Sequence, residues 1–61
     1  MKADHYTYKL QLANLERRTG CKVLEFTPDY FIATRNENIM KFELAKYDTW
    51  HDIEESIENN S

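Results

Sequence analysis

The stretch KVLEFTPDYFIATRNENIMKFELAK, residues 22–46, decides the fold. Apolar and polar side chains alternate in three short runs within it, and this two-residue period is typical of β-strands. The runs cover residues 22–27, 30–35 and 39–46. Two short connections separate them, 27–29 with a proline that presets φ and 36–38 with asparagines that tolerate left-handed φ. Because connections this short join neighbouring antiparallel strands, the sequence predicts a three-stranded antiparallel meander.

The segment before the strands, residues 4–19, is predicted to be a helix. Its second half is rich in helix-forming residues, and Gly20 follows where a helix end favours a residue with positive φ. Arg17 and Arg18 fall in the last turn, where cations interact favourably with the helix dipole. A strand is the alternative over residues 5–12, because apolar and polar residues alternate strictly there.

The segment after the strands carries the clearest helix signal. Thr49, followed three residues later by Asp52, has the form of a capping box. Three apolar residues then recur at helical spacing: Trp50, Ile53 and Ile57. A helix from about residue 50 to 58 follows from this pattern. The predicted order is α-β-β-β-α, an α+β fold with both helices on one face of the sheet, in a single domain over residues 1–61.

The expected core combines the inward side of each strand with one stripe of each helix. The strands are expected to contribute Leu24, Phe26, Ile32, Met40, Phe42 and Leu44. The helices are expected to contribute Tyr8, Leu12, Leu15, Trp50, Ile53 and Ile57. The middle strand is apolar on both sides, so Phe31 fits the core or the opposite face equally well. Tyr6 and Leu10 lie off the core stripe of the first helix, and we expect them either to pack within the molecule or to contact a partner.

Length and composition define the class of protein. A chain of 61 residues buries only about 60% of its unfolded surface, so self-association or a partner gains weight as a source of stability. Cys21 is the only cysteine, which excludes an internal disulfide and favours a reducing compartment. No apolar run approaches the roughly 20 residues of a membrane span, and Lys9 and Gln11 interrupt any signal-peptide core. The expected location is the cytoplasm.

Charge is distributed unevenly along the chain. Residues 1–22 carry five basic and two acidic side chains, whereas residues 43–61 carry one basic and six acidic side chains. The total charge of −3 and the pI of about 5.2 conceal this polarity. Helix electrostatics account for some of these charges, because arginines favour a helix end and Asp52 favours a helix start. They leave the outer carboxylates of the last helix unexplained.

Residues that could carry catalysis are sparse. Cys21 falls at the predicted start of a strand, without the helix N-terminus, cation or histidine that activates a thiolate. His51 and Glu55 have the i, i+4 spacing of helical metal ligands, but one histidine and one carboxylate make a poor site. The single glycine excludes a glycine-rich phosphate loop. We therefore expect no enzyme activity, no bound metal and no cofactor.

The predicted order of elements is similar to that of two families that act on nucleic acids. Double-stranded-RNA-binding domains share the order and carry lysines at the start of the last helix, against the phosphates. The corresponding segment here, residues 49–55, reads TWHDIEE and has the opposite sign. HicA-type RNase toxins also resemble this chain in order, but their Gly-Ser/Thr-His strand motif is missing from it. Both resemblances concern topology alone, and neither transfers a functional residue.

These observations favour a non-enzymatic protein-binding module. Small, charge-biased α+β proteins of this style resemble accessory proteins of bacteriophages and mobile elements, such as anti-CRISPR proteins and inhibitors of DNA-repair or restriction enzymes. Some of those inhibitors present carboxylates in place of phosphates. The expected partner is therefore a host or defence protein, such as a nucleic-acid-binding enzyme, bound through an acidic, nucleic-acid-mimicking face. The residues expected to contact it are Asp52, Glu54, Glu55, Glu58, Tyr6, Leu10 and Phe31.

The alternative is a small regulator that binds nucleic acid with its basic first helix. Its contact residues would be Lys9, Arg17, Arg18 and Lys22. A homodimer, formed through the second apolar edge of the first helix or by attraction between the two oppositely charged ends, is compatible with either function. No membrane partner is expected.

Overall fold

The computed structural model describes residues 4–59, and the predicted order of elements is confirmed within them. The helices are α1 (His5–Thr19) and α2 (Trp50–Asn59), and the strands are β1 (Lys22–Phe26), β2 (Tyr30–Arg35) and β3 (Asn38–Glu43). The strands form an antiparallel sheet in the order β1-β2-β3, so the chain has an α+β fold with two edge strands, β1 and β3. The predicted domain, 1–61, includes residues 1–3 and 60–61, which lie outside the described part of the chain.

Local hydrogen bonds define both ends of α1. Asp4 precedes the helix, and its carboxylate oxygen Oδ1 accepts from the backbone N–H of Thr7 at 2.8 Å. This bond satisfies a donor that has no partner inside the helix. At the other end, Gly20 adopts a φ of 77°, and its N–H donates to the carbonyl of Glu16 at 3.0 Å. The helix prediction is therefore confirmed, and the strand alternative over residues 5–12 is wrong.

A two-residue turn joins β2 to β3. Asn36 and Glu37 have φ values of 52° and 70°. Two successive positive values are typical of a type I′ hairpin turn, whose twist matches that of the strands it joins. The turn sets Arg35 opposite Asn38 and thereby fixes the register of the hairpin.

The third strand is shorter than predicted. It was expected to continue to Lys46, but it ends at Glu43 and gives way to a short 3-10 helix, Leu44–Lys46. The N–H of Leu44 donates to the carbonyl of Asp29 at 3.0 Å, a bond made with the β1–β2 connection rather than with a strand partner. Leu44 remains buried, as predicted.

The side of β2 that faces the core is the opposite of the one expected. Phe31 and Ala33 have no exposed surface, whereas Ile32 is only half-buried, on the open face of the sheet. The prediction of Ile32 as a core residue is therefore wrong. The ring of Phe31 stacks on those of Phe42 and Trp50, at centroid distances of 5.1 and 6.3 Å. Since both sides of this strand are apolar, its alternation alone does not decide which side faces the core. The ring of Phe31 fits between the sheet and α2, which favours Phe31 as the core residue.

A β-bulge changes which residues of β1 face the core. The register between β1 and β2 skips Leu24, which is therefore an extra residue in its strand. As a result Val23 and Phe26, three residues apart, both lie on the core side, and Leu24 is 52% exposed. The prediction of Leu24 as a core residue is wrong. Phe26 is 37% exposed and lies outside the buried cluster, so the prediction of Phe26 as a core residue is also wrong. Its ring packs edge-on against that of Tyr8 at 5.4 Å.

The core lies between one face of the sheet and both helices. Its buried members are Tyr8, Leu12, Leu15, Cys21, Phe31, Ala33, Phe42, Leu44, Ile53 and Ile57. Met40 and Trp50, also predicted, are partly buried against this cluster. The predicted core stripe of each helix is thus confirmed. It leaves the opposite sides of both helices, and the second face of the sheet, without a covering layer among residues 4–59.

Candidate partner-binding surfaces

The outward side of α2 carries three of the carboxylates predicted to contact a partner. Ile53 and Ile57, on the inward side of this helix, have no exposed surface. Asp52, Glu55 and Glu58 lie on the other side, and all three are exposed. We term these three residues the acidic face. Their spacing of three residues separates neighbouring side chains by about 4.5 Å along the helix axis.

The three carboxylates of the acidic face affect their own helix differently. Asp52 is favourably placed in the first turn, where the Thr49 hydroxyl accepts from its backbone N–H at 3.2 Å. Glu58, however, lies in the last turn, where a carboxylate opposes the helix dipole, and no basic residue of α2 lies in that turn. Carboxylates three residues apart also repel each other. The Arg35 guanidinium offsets part of this effect, because it donates to the Ile57 carbonyl at 3.1 Å.

One histidine lies beside the acidic face. His51 Nε2 is 3.1 Å from Glu55 Oε1, one helical turn away. Both side chains are largely exposed, and an exposed pair of this kind contributes little to stability.

Glu54 lies apart from the other carboxylates of α2. Its side chain is 20% exposed, and Glu54 Oε2 accepts from Arg18 Nη1 of α1 at 3.3 Å. This contact links the two helices. We therefore assign Glu54 to the packing of α2 against α1, and not to the surface offered to a partner.

The outward side of α1 carries a second candidate surface. Tyr6 is 73% exposed and Leu10 is 48% exposed, and Ala13 and Arg17 continue the same side of the helix as exposed residues. We term these four residues the α1 outer face. It lies opposite the buried stripe of α1, so Tyr6 and Leu10 do not belong to the core of the described residues, 4–59. Of the two expectations for them, contact with a partner is the one that stays a prediction.

Phe31 is not available to a partner. It has no exposed surface, and its ring lies between those of Phe42 and Trp50. Its assignment as a contact residue is corrected, because the register of β2 places it in the core.

The four basic residues of the alternative function are exposed but spread over several sides of the molecule. Lys9 and Arg18 are nine residues apart on α1, which places them on opposite sides of the helix. Arg18 is already paired with Glu54. Arg17 belongs to the α1 outer face, and Lys22 begins the edge strand β1. They do not form one continuous basic face.

The candidate catalytic and metal-binding residues do not assemble into a site. Cys21 is buried in the core. Among residues 4–59, no group of three or more histidine, cysteine, aspartate or glutamate side chains has an arrangement suited to a metal ion.

The sequence analysis missed three exposed apolar residues of the sheet: Leu24, Phe26 and Ile39. Leu24 is exposed because of the bulge in β1, and no local sequence pattern predicts that bulge. Ile39 is 74% exposed. Because Ile39 and Lys41 are two residues apart in β3, they lie on the same face of the sheet, and the lysine could have indicated that this face is exposed. Leu24 lines a groove of about 280 Å³ between α1 and β1. Glu16 satisfies a backbone donor at the edge of β1 there, because its Oε2 accepts from the Val23 N–H at 2.8 Å.

Neither helix within residues 4–59 combines the length and the apolar character needed to traverse a bilayer. No protein-family model matches the chain, and no curated protein and no solved structure is significantly similar to it, so its function has to be inferred from its own surfaces.

Proposed function

We propose that this protein is a non-enzymatic protein-binding module that works as a small inhibitor or adaptor. The proposed partner is a host or defence protein with a basic, nucleic-acid-binding surface, and the acidic face of α2 takes the place of nucleic acid on that surface. An origin in a bacteriophage or mobile element and action in the cytoplasm belong to the same proposal.

One observation carries the proposal: Asp52, Glu55 and Glu58 lie exposed on the side of α2 that faces away from the core. Glu55 is three residues from both Asp52 and Glu58, and Glu58 lies at the unfavourable end of the helix dipole. Helix packing does not need these charges, because Ile53 and Ile57 fill the inward side. Such residues are more readily explained by a binding role than by a role in folding.

The exposure of the acidic face suits recognition by charge. Exposed charges act over about 8 Å at physiological salt, so they attract a basic surface before the two proteins touch. This attraction accelerates association and discriminates against acidic partners. Glu54 is left out of this role because its side chain is only 20% exposed and contacts Arg18 of α1.

A pair of matched double variants tests the proposal. The first combines Glu55→Gln with Glu58→Gln in the acidic face. The control combines Glu25→Gln with Glu37→Gln, two exposed carboxylates outside α2. Each double variant changes the net charge of the chain from −3 to −1, so the two differ only in where the charge is lost.

Each variant and the wild-type protein would be immobilised and exposed to nuclease-treated bacterial lysate at low salt. We expect the wild type and the control to retain the same basic protein, and the acidic-face variant to lose it. Added duplex DNA should compete for the retained protein. We also expect the acidic-face variant to keep the stability of the wild type to within about 0.5 kcal/mol, since both side chains are exposed.

Two outcomes would contradict the proposal. A partner retained equally by both variants would not depend on the acidic face, and wild-type protein that retains no stoichiometric partner at low salt would not be such a module. Nucleic-acid binding through the dispersed basic residues is the alternative. It would be favoured if micromolar protein retarded duplex DNA, single strands or structured RNA in a gel at low salt, with retardation lost in Lys9→Gln.

A further inference from the structure

We propose that the α1 outer face binds the same face of a second copy of this chain, forming a symmetric dimer of antiparallel α1 helices. This inference is independent of the proposed function, because it concerns a different helix and a different partner.

The spacing of the α1 outer face is self-complementary. Tyr6, Leu10, Ala13 and Arg17 follow one another at intervals of four, three and four residues. These are the intervals of a coiled-coil seam, and they read the same in either chain direction. A two-fold axis between residues 10 and 13 therefore superimposes the pattern on itself, as a symmetric dimer interface requires. Each of the four side chains then faces another member of the same pattern in the second copy.

The pairs that this axis creates are chemically matched. Leu10 meets Ala13 of the second copy, so that a large side chain faces a small one and the helices can approach closely. Tyr6 meets Arg17 of the second copy, and a guanidinium over a tyrosine ring is a favourable cation–π contact. Each pair occurs twice because of the symmetry. The 73% exposure of Tyr6 and the 48% exposure of Leu10 give the apolar surface that dimerisation would bury.

Charges beside the seam are complementary as well. Lys9 and Glu16 are seven residues apart and lie on the same side of α1, next to the seam. An antiparallel two-fold arrangement brings this side of one helix against the same side of the other, so Lys9 approaches Glu16 of the second copy. Glu16 keeps its bond to the Val23 N–H in this arrangement, because a carboxylate has a second oxygen that can accept from the lysine.

The edges of the sheet are less suited to a second copy. At β1, the bulge at Leu24 disturbs the spacing of the backbone groups, and Glu16 occupies the N–H of Val23. At β3, the exposed Lys41 lies within the edge strand, and a lysine there discourages the addition of another strand. The helix face is therefore the surface to which we assign the second copy.

The size of the surface sets the expected affinity. Stable dimers bury about 1,200–2,000 Å² in total, and a single helix pair with four seam residues on each side provides less than that. We therefore expect a reversible dimer, populated as the protein concentration rises from about 10 μM to about 1 mM. Higher salt should weaken it, because the flanking charges are screened.

Sedimentation velocity over this concentration range tests the inference with two matched variants. Leu10→Glu places a carboxylate in the seam, and Ile39→Glu makes the same change at an exposed residue of the sheet. We expect the wild type and Ile39→Glu to dimerise alike, and Leu10→Glu to raise the dissociation constant at least about tenfold. Circular dichroism would establish that both variants keep the helical content of the wild type.

Cross-linking tests the proposed register directly. Leu10→Cys protein and Ala13→Cys protein would be mixed under mild oxidation, and the buried Cys21 is shielded from the reaction. Because the two-fold axis sets position 10 against position 13 of the second copy, we expect mixed disulfide dimers to form faster than either homodimer. Wild-type protein that stays monomeric throughout the concentration range would overturn the inference. So would a dimer lost in Ile39→Glu but kept in Leu10→Glu, or homodimers that form as fast as mixed dimers.

Discussion

The phenol of Tyr8 joins the first helix to the sheet. Its hydroxyl donates to the carbonyl of Tyr30 at 2.9 Å, and burial, with a smaller contribution from the negative charge of Asp29, raises the pKa of Tyr8 to about 12. The Tyr30 carbonyl also accepts from the Thr27 N–H at 2.7 Å, so it keeps a partner if the phenol is removed. Tyr8 therefore affects stability in two ways. Its hydrogen bond contributes at neutral pH, and its raised pKa makes the stability fall in alkali.

We predict that Tyr8→Phe lowers the free energy of unfolding by about 0.5–1 kcal/mol at neutral pH. The raised pKa means that the unfolded chain, with a tyrosine pKa of 10.0, loses this proton before the folded chain does. The stabilisation is therefore fully present below pH 10.0 and is lost as the pH rises to about 12. Urea unfolding across this window should show a steeper fall in stability for the wild type than for Tyr8→Phe.

The control for this prediction is Tyr6→Phe at dilute protein, since the Tyr6 side chain is largely exposed. It should lose stability in alkali as steeply as the wild type does. If Tyr8→Phe did the same, the buried phenol would not be the group that responds to pH.

At the scale of elements, a single carboxylate protects the edge of the sheet. Glu16 of α1 accepts from the Val23 N–H of β1 at 2.8 Å, at the point where the bulge interrupts the strand. We predict that Glu16→Ala lowers the free energy of unfolding by about 1–2 kcal/mol, because it leaves a partly buried donor without its acceptor. Glu16→Gln should lose less, since the amide oxygen can still accept. Urea denaturation at dilute protein measures both changes.

Arg17→Ala is the neighbouring control, because Arg17 is exposed and α1 keeps Arg18 in its last turn. We expect it to change the unfolding free energy by less than about 0.5 kcal/mol. Equal urea midpoints for Glu16→Ala and Arg17→Ala would mean that the carboxylate does not hold the strand edge.

Elements with strong local signals are the ones that the sequence predicts correctly. Gly20 ends α1 and Thr49 caps α2, and each of these signals acts within a few residues. The faces of β1 and β2 depend instead on distant packing. Leu24 is displaced by a bulge, and Phe31 is selected by rings that come from β3 and α2. Neither effect is visible in the alternation of a single strand.

The same division applies to the candidate surfaces. The sequence places Asp52, Glu55 and Glu58 on the outer side of α2, because the buried stripe of that helix is unambiguous. It does not reveal that Glu54 is paired, because Arg18 lies 36 residues earlier in the chain. Local period predicts which side of a helix faces outward, whereas a contact such as that between Arg18 and Glu54 depends on how the two helices pack.

At the scale of the whole molecule, the two proposed surfaces lie on different helices and are compatible with each other. Dimerisation through the α1 outer face would leave the acidic face of α2 exposed in both copies. A dimer would then present two acidic faces to a partner. If the geometry allows both to engage one extended basic surface, the second contact becomes intramolecular, and the overall affinity rises without any new residue. A weak dimer could in this way strengthen a weak charge-based interaction.

The dimer should also stabilise the fold, because a domain of 61 residues has a small core and binding to the folded state shifts its unfolding equilibrium. We predict that the melting temperature of the wild type rises by several degrees between about 10 μM and about 1 mM protein, since about 1 kcal/mol corresponds to about 4–8 °C in a domain of this size. Ile39→Glu should show the same rise, and Leu10→Glu should show a much smaller one because its dimer is weaker. Calorimetry at several concentrations provides the measurement. A melting temperature that rises equally in Leu10→Glu would place the stabilising contact on another surface, and a constant melting temperature in the wild type would mean that the folded chain gains nothing from a second copy.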